Sequence, residues 1–248
     1  MSTSSASSSG AAHAADRSAA SRPDHSAERH VYRAAGFGGI LAFVAWLGQP
    51  VVVAVLSAAE GDGFPTIAML RERPYSGAVE AVIFLGMAAG TIAFVQASTS
   101  LVRRRTGDDP STWAGIGIAF GWIGAGSWVL VGMASLVPFT SVGLGISEAL
   151  PDPASQVAVL EANALLVMTF ALAGAVGLAG YALFLATAGR RAGILGWPLA
   201  LTGFAAAVAC AVPFMLPFSV PWGLFAVPLY VLITGVAFLV RSRHAGAD

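Results

Sequence analysis

The sequence predicts an all-α polytopic transmembrane bundle of six spans with both termini cytoplasmic, and three observations predict it. The first is composition: of 248 residues, 56% are hydrophobic and 10% are charged, with a mean hydropathy of +0.76. A soluble domain carries about 25% charged residues, so this chain has too little charge to cover a water-facing surface. The second is the presence of six apolar runs near the roughly 20 residues that a hydrocarbon core requires. The third is the distribution of basic residues. All thirteen are arginines, and six spans place Arg17, Arg22, Arg29, Arg33, Arg103, Arg104, Arg105, Arg190, Arg191, Arg241 and Arg243 on one side, with only Arg71 and Arg73 on the other. Arginine-rich loops stay in the cytoplasm. Removing one span would scatter the arginines across both faces, so charge and span count support each other.

Residues 1–35 are rich in Ser and Ala, show no apolar period, and read as a disordered cytoplasmic tail. The transmembrane domain covers 36–240, with spans at 36–58, 78–102, 113–137, 162–188, 193–216 and 222–240, and a short cytoplasmic tail at 241–248. Arginine runs, turns and prolines close these spans. The loop 59–77 has an apolar half, Phe64 to Leu70, able to form one or two interfacial turns. The loop 138–156, with Pro151 and Pro153, should be mostly irregular.

Without a hydrophobic drive inside lipid, helices associate through small residues. Gly117, Gly121 and Ala125 in the third span, and Ala173, Gly177 and Gly180 in the fourth, are spaced to lie on such faces. Trp46, Trp113, Trp197 and Trp222 fall near span ends, as interfacial aromatics do, whereas Trp122 and Trp128 are expected inside the bundle. Pro50, Pro198, Pro213 and Pro228 fall within or near spans and are read as ordinary kinks that neighbouring helices accommodate.

A search for chemistry returns mainly exclusions. His13, His25, His30 and His244 lie outside the spans, no lysine exists, and no aspartate falls inside a span. That composition supplies no axial haem ligand, retinal-type Schiff base or intramembrane aspartate pair. Gly124-Ala125-Gly126-Ser127-Trp128 is not a nucleophile elbow, and no phosphate-binding loop is present. The expectation is therefore a non-enzyme with no cofactor, catalytic residue or metal site. Cys210 stands alone in an apolar run and cannot form an internal disulfide.

The polar groups left near the spans are Glu80, Glu161, Asn163, Gln49 and Gln96. At 1.5 Å per residue, Glu80 lies about 34 Å from Arg103 and Glu161 about 43 Å from Arg190, so both belong at the outer boundary. Glu80, Glu161, Asn163 and Gln49 could together line a polar outer vestibule for a cation or a small polar solute. The plainer reading makes the two glutamates wetted helix-end residues paired with Arg71 or Arg73.

The junction between the fourth and fifth spans runs Gly180-Tyr181-Ala182-Leu183-Phe184, then Arg190-Arg191-Ala192-Gly193-Ile194-Leu195-Gly196-Trp197. A glycine–tyrosine helix end, a basic turn and Gly-Ile-Leu-Gly-Trp opening the next helix resembles a group of bacterial six-span integral membrane proteins known only as a domain of unknown function. The resemblance implies the six-span layout and supplies no activity, cofactor or site residue. The expectation that follows is a multi-pass protein of the bacterial plasma (inner) membrane. Its partners are the lipid bilayer and a membrane protein or a second copy, with no nucleic acid. It is expected to be non-enzymatic and to act through partner proteins or lipids. The alternative is a small-solute transporter or channel.

Overall fold

Long apolar stretches free of charge satisfy their backbone polar groups within the segment by forming helices, and every regular element described here is helical. The structure is a computed structural model that describes residues 25–60, 75–107, 112–140, 149–150, 152–215 and 223–244, with Gly143 and Gly145 besides. Among the described residues six long helices follow one another: α1 (His25–Glu60), α2 (Tyr75–Thr106), α3 (Thr112–Leu136), α4 (Pro153–Arg191), α5 (Trp197–Met215) and α6 (Gly223–His244). A 3-10 turn, Val137–Phe139, extends α3. Five of the six are long and apolar enough to cross a membrane. The exception is α5, whose apolar stretch over Trp197–Ala211 is shorter.

Each helix packs on the next, and α6 returns to α1, so the six form a closed ring. Residue pairs across the seams show that neighbours run antiparallel. Gly38 meets Phe94 and Gly90 meets Ala42 between α1 and α2; Gly117 meets Phe184 and Gly174 meets Trp128 between α3 and α4; Gly36 meets Leu239 and Gly39 meets Val231 between α6 and α1. The perimeter is apolar, with Phe37, Leu41, Val82, Ile123, Leu165, Val208 and Val236 exposed along its length. Alternation then gathers every arginine among the described residues at one end. Arg105 of α2 bonds Glu28 of α1 at 3.1 Å, and Arg241 of α6 donates to the Ile194 carbonyl in the α4–α5 turn.

The α4–α5 turn explains the Arg-Arg-Ala-Gly-Ile-Leu-Gly-Trp string. Gly193 has a φ of +70°, a left-handed conformation that costs other residues roughly 1 kcal/mol or more. With it in place, the N–H groups of Ile194 and Leu195 both reach the Gly189 carbonyl, at 2.9 and 3.0 Å. Ile194 and Leu195 are thereby driven into the core, while the Arg190 guanidinium lies 4.2 Å from the centre of the Trp197 ring. Pro198 sits in the first turn of α5, where its missing N–H has no helical partner to lose.

Several sequence expectations are corrected. Helix α1 starts at His25 rather than at residue 36, and Tyr32 and Ala35 are buried, so the last part of the supposed tail belongs to the bundle. Likewise α4 begins at Pro153 instead of residue 162, because Asp152 accepts the Ser155 N–H at 2.8 Å and caps it. Helix α5 begins at Trp197, since 193–196 is the turn. Trp128 is buried as expected, but Trp122 is 47% exposed on the perimeter. Helix α2 begins at Tyr75 rather than at residue 78, so 75–77 of the expected loop are helical; Trp222, residues 61–74 and residues 1–24 lie outside the described residues.

Candidate functional site

The interior of the ring has two different halves. Towards the arginine end it is filled by aromatic rings. Phe94 of α2 lies 6.3 Å from both Tyr181 of α4 and Phe238 of α6, and Tyr32 of α1 closes on Phe238 at 5.7 Å. Helices α2, α4 and α6 are not sequence neighbours, yet these rings meet across the middle. Each such pair contributes about 0.5–1.5 kcal/mol beyond its buried area. The Tyr181 hydroxyl donates to the Val95 carbonyl at 3.0 Å and shares hydrogen bonds with Ser98 at 2.7 Å and Thr99 at 2.9 Å. A polar knot therefore holds the aromatic plug in place.

In the half away from the arginines, the interior opens into a cavity of about 240 Å³. Five helices line it. Its walls are aromatic and thioether groups (Trp46, Phe84, Met87, Trp128, Met168 and Phe225) with small aliphatic residues of α4 between them, and Gln49 is the polar side chain facing it. The rings are fixed by one another. Phe84 stacks on Trp128 at 6.3 Å with planes 2° apart, and Trp46 meets Phe225 edge-on at 4.3 Å. Small residues on α4 let the large ones fit: a Cβ on Gly174 would stand 2.9 Å from the Trp128 ring. Met168, Leu172 and Phe225 line the cavity and are also exposed on the perimeter.

The four residues expected to form an outer vestibule occupy similar levels. Gly48 faces Ile83, Gly132 stands beside Ala81 and Phe84, and the Asn163 amide donates to the Ala134 carbonyl at 3.2 Å. Gln49, Glu80 and Asn163 are thus within about a turn of one another along the bundle. Their surroundings differ, however. Gln49 faces the cavity, Asn163 is half-buried and tied to α3, Glu80 is half-buried, and Glu161 is exposed. Neither glutamate and not Asn163 lines the cavity. Among the described residues, no group of three or more His, Cys, Asp or Glu could hold a metal ion.

The glycine faces of α3 and α4 are occupied within the chain. Gly177 abuts the backbone of Gly124, and Gly121 meets Val95 and Tyr181. Sequence reasoning missed the cavity walls and the Tyr181 knot. The readable signals were the Ser98-Thr99-Ser100 run inside the second span and the Met and aromatic residues at helical spacing. Compared with protein-family models, with curated proteins and with solved structures, the chain matches none.

Proposed function

We propose that the protein is a six-span integral membrane protein of a bacterial inner membrane, with both termini cytoplasmic, that acts by binding a small apolar molecule of the bilayer rather than by transforming one. The observation that carries this reading is the cavity beyond the aromatic plug. Its lining residues include Gln49 but no ionisable side chain, so the site offers shape and apolar contact rather than acid–base chemistry. Its exposed margin of Met168, Leu172 and Phe225 faces the apolar perimeter, which suits a ligand arriving from lipid. A volume of about 240 Å³ suits a small molecule or part of an acyl chain. The gathering of arginines at one end supports the orientation.

The test is native mass spectrometry of the full chain extracted gently from its own membrane. The expected result is a retained lipid-soluble molecule that is lost in Ala171→Leu, a substitution that fills the cavity wall. An empty wild-type protein, or one whose retained molecules Ala171→Leu leaves unchanged, overturns the reading. Orientation is read separately by labelling His244→Cys and Tyr75→Cys from each side of the membrane. The first should react from the cytoplasm and the second from outside.

A second reading, a small-solute transporter with a polar outer vestibule, is favoured by the shared level of Gln49, Glu80 and Asn163. Solute uptake into proteoliposomes that falls in Glu80→Gln would support it over ligand binding alone.

A further inference from the structure

At the arginine end, a second cavity of about 230 Å³ lies between α2, α3 and α4. Its walls are apolar, from Val102 of α2, Ile118 of α3 and Phe184 of α4, and its rim carries Arg103 and Arg191. Both arginines are exposed, and among the described residues neither meets a carboxylate within ion-pair distance, unlike Arg105 with its Glu28 partner. The Trp113 indole completes the rim; it is 44% exposed and donates to the Thr187 hydroxyl at 3.1 Å. Beside it Gly115 leaves open space, since a Cβ there would meet nothing within 4 Å.

An apolar crevice that opens to the perimeter and ends in two exposed guanidinium groups and an interfacial tryptophan has the complementarity of one class of ligand. We infer that this cleft is a specific site for an anionic phospholipid. The phosphate lies between Arg103 and Arg191, and the start of an acyl chain lies along Val102, Ile118 and Phe184. Guanidinium groups bind phosphate oxygens in a planar, bidentate fashion, and basic pockets between helices on the cytoplasmic side are where anionic headgroups collect. A free phosphate would satisfy the arginines and leave the apolar walls unfilled. The inference rests on the membrane-spanning reading above and does not depend on the cavity at the other end.

The test uses the full chain in detergent, titrated separately with short-chain phosphatidylglycerol, short-chain phosphatidylcholine and inorganic phosphate, with bound mass and thermal midpoint as readouts. Phosphatidylglycerol alone should bind and stabilise. The double variant Arg103→Gln/Arg191→Gln should weaken that binding on the order of tenfold. The control Arg104→Gln/Arg243→Gln removes the same charge and should keep it. Gly115→Leu, which fills the cleft and leaves charge untouched, should weaken binding as well. Equal binding of the two lipids, equal loss in the control, or an equal effect of inorganic phosphate overturns the site. A chain released from membranes by carbonate overturns the spanning reading and the site with it. Retention in the membrane together with indifference to headgroup overturns the site alone.

Discussion

The Tyr181 hydroxyl lies 2.7 Å from the Ser98 hydroxyl, and this contact joins α4 to α2 across the ring, where neither helix is the other's neighbour in sequence. Around it, Val95 offers its carbonyl and Thr99 its hydroxyl. Removing the phenolic oxygen in Tyr181→Phe leaves Ser98 bonded to the Phe94 carbonyl but takes the cross-ring partner from Thr99. The expected loss is about 1 kcal/mol, since hydrogen bonds between membrane helices are worth less than full desolvation would suggest. Denaturant unfolding in micelles measures it, and an unchanged midpoint would show that the knot carries no weight.

The glycines separate into two kinds. At Gly177 a Cβ would stand 2.7 Å from the Gly124 Cα and 2.8 Å from the Phe120 carbonyl. Gly177→Ala should therefore force α3 and α4 apart and cost about 1–3 kcal/mol. At Gly126 a Cβ would meet nothing, so Gly126→Ala should be neutral or stabilise by up to about 1 kcal/mol through its helix propensity. A Gly126→Ala chain that loses stability while changing its mass by light scattering would identify that face as a contact between copies.

Asp152 sets a pH dependence at the start of α4. The Ser155 N–H and hydroxyl, each at 2.8 Å, hold its carboxyl below the usual aspartate range. Because the folded-state pKa is the lower one, the cap stabilises fully above the unfolded value of about 3.9. That contribution is lost as pH falls through the folded value. Asp152→Ala should melt below the wild type at pH 7, and the gap should close in acid. Asp152→Asn, which still offers a cap oxygen, should show a smaller gap.

Thr91 is 1% exposed, and among the described residues its hydroxyl has no hydrogen-bond partner. Replacing it with the isosteric valine removes an unsatisfied group and leaves no hole. Thr91→Val should be neutral or stabilise by up to about 1 kcal/mol in the same unfolding measurement. A clear loss would show that a ligand or water bonds this hydroxyl in the membrane.

Helix number and the polarity of the bundle were legible because they follow from single-residue properties. Apolar runs have to become helices, and the arginines that end them have to share a side. The limits of the helices were harder to read. At the start of α1, Arg29 and Arg33 give the segment the look of a tail, yet Tyr32 and Ala35 beside them turn inward, a one-in-three-or-four pattern too short to register as a period. Trp122 and Trp128 are six residues apart, so they point to different faces of α3. Hydropathy cannot say which faces lipid, because lipid and core are both apolar. The vestibule residues were read by depth alone, and depth does not give azimuth. Gln49 and Glu161 show the difference, one facing the cavity and the other facing out.

The seam between α6 and α1 has a consequence for how the protein is made. Gly36 and Gly39 present an open backbone face that Gly235, Val231 and Leu239 of α6 fill, with the Phe94 ring of α2 beside them, and α6 leaves the ribosome after the other five helices. Every other seam joins consecutive helices and can form as they emerge. This one must wait for α6, so a product that stops short of α6 would leave Gly36 and Gly39 of α1 without the residues that cover them.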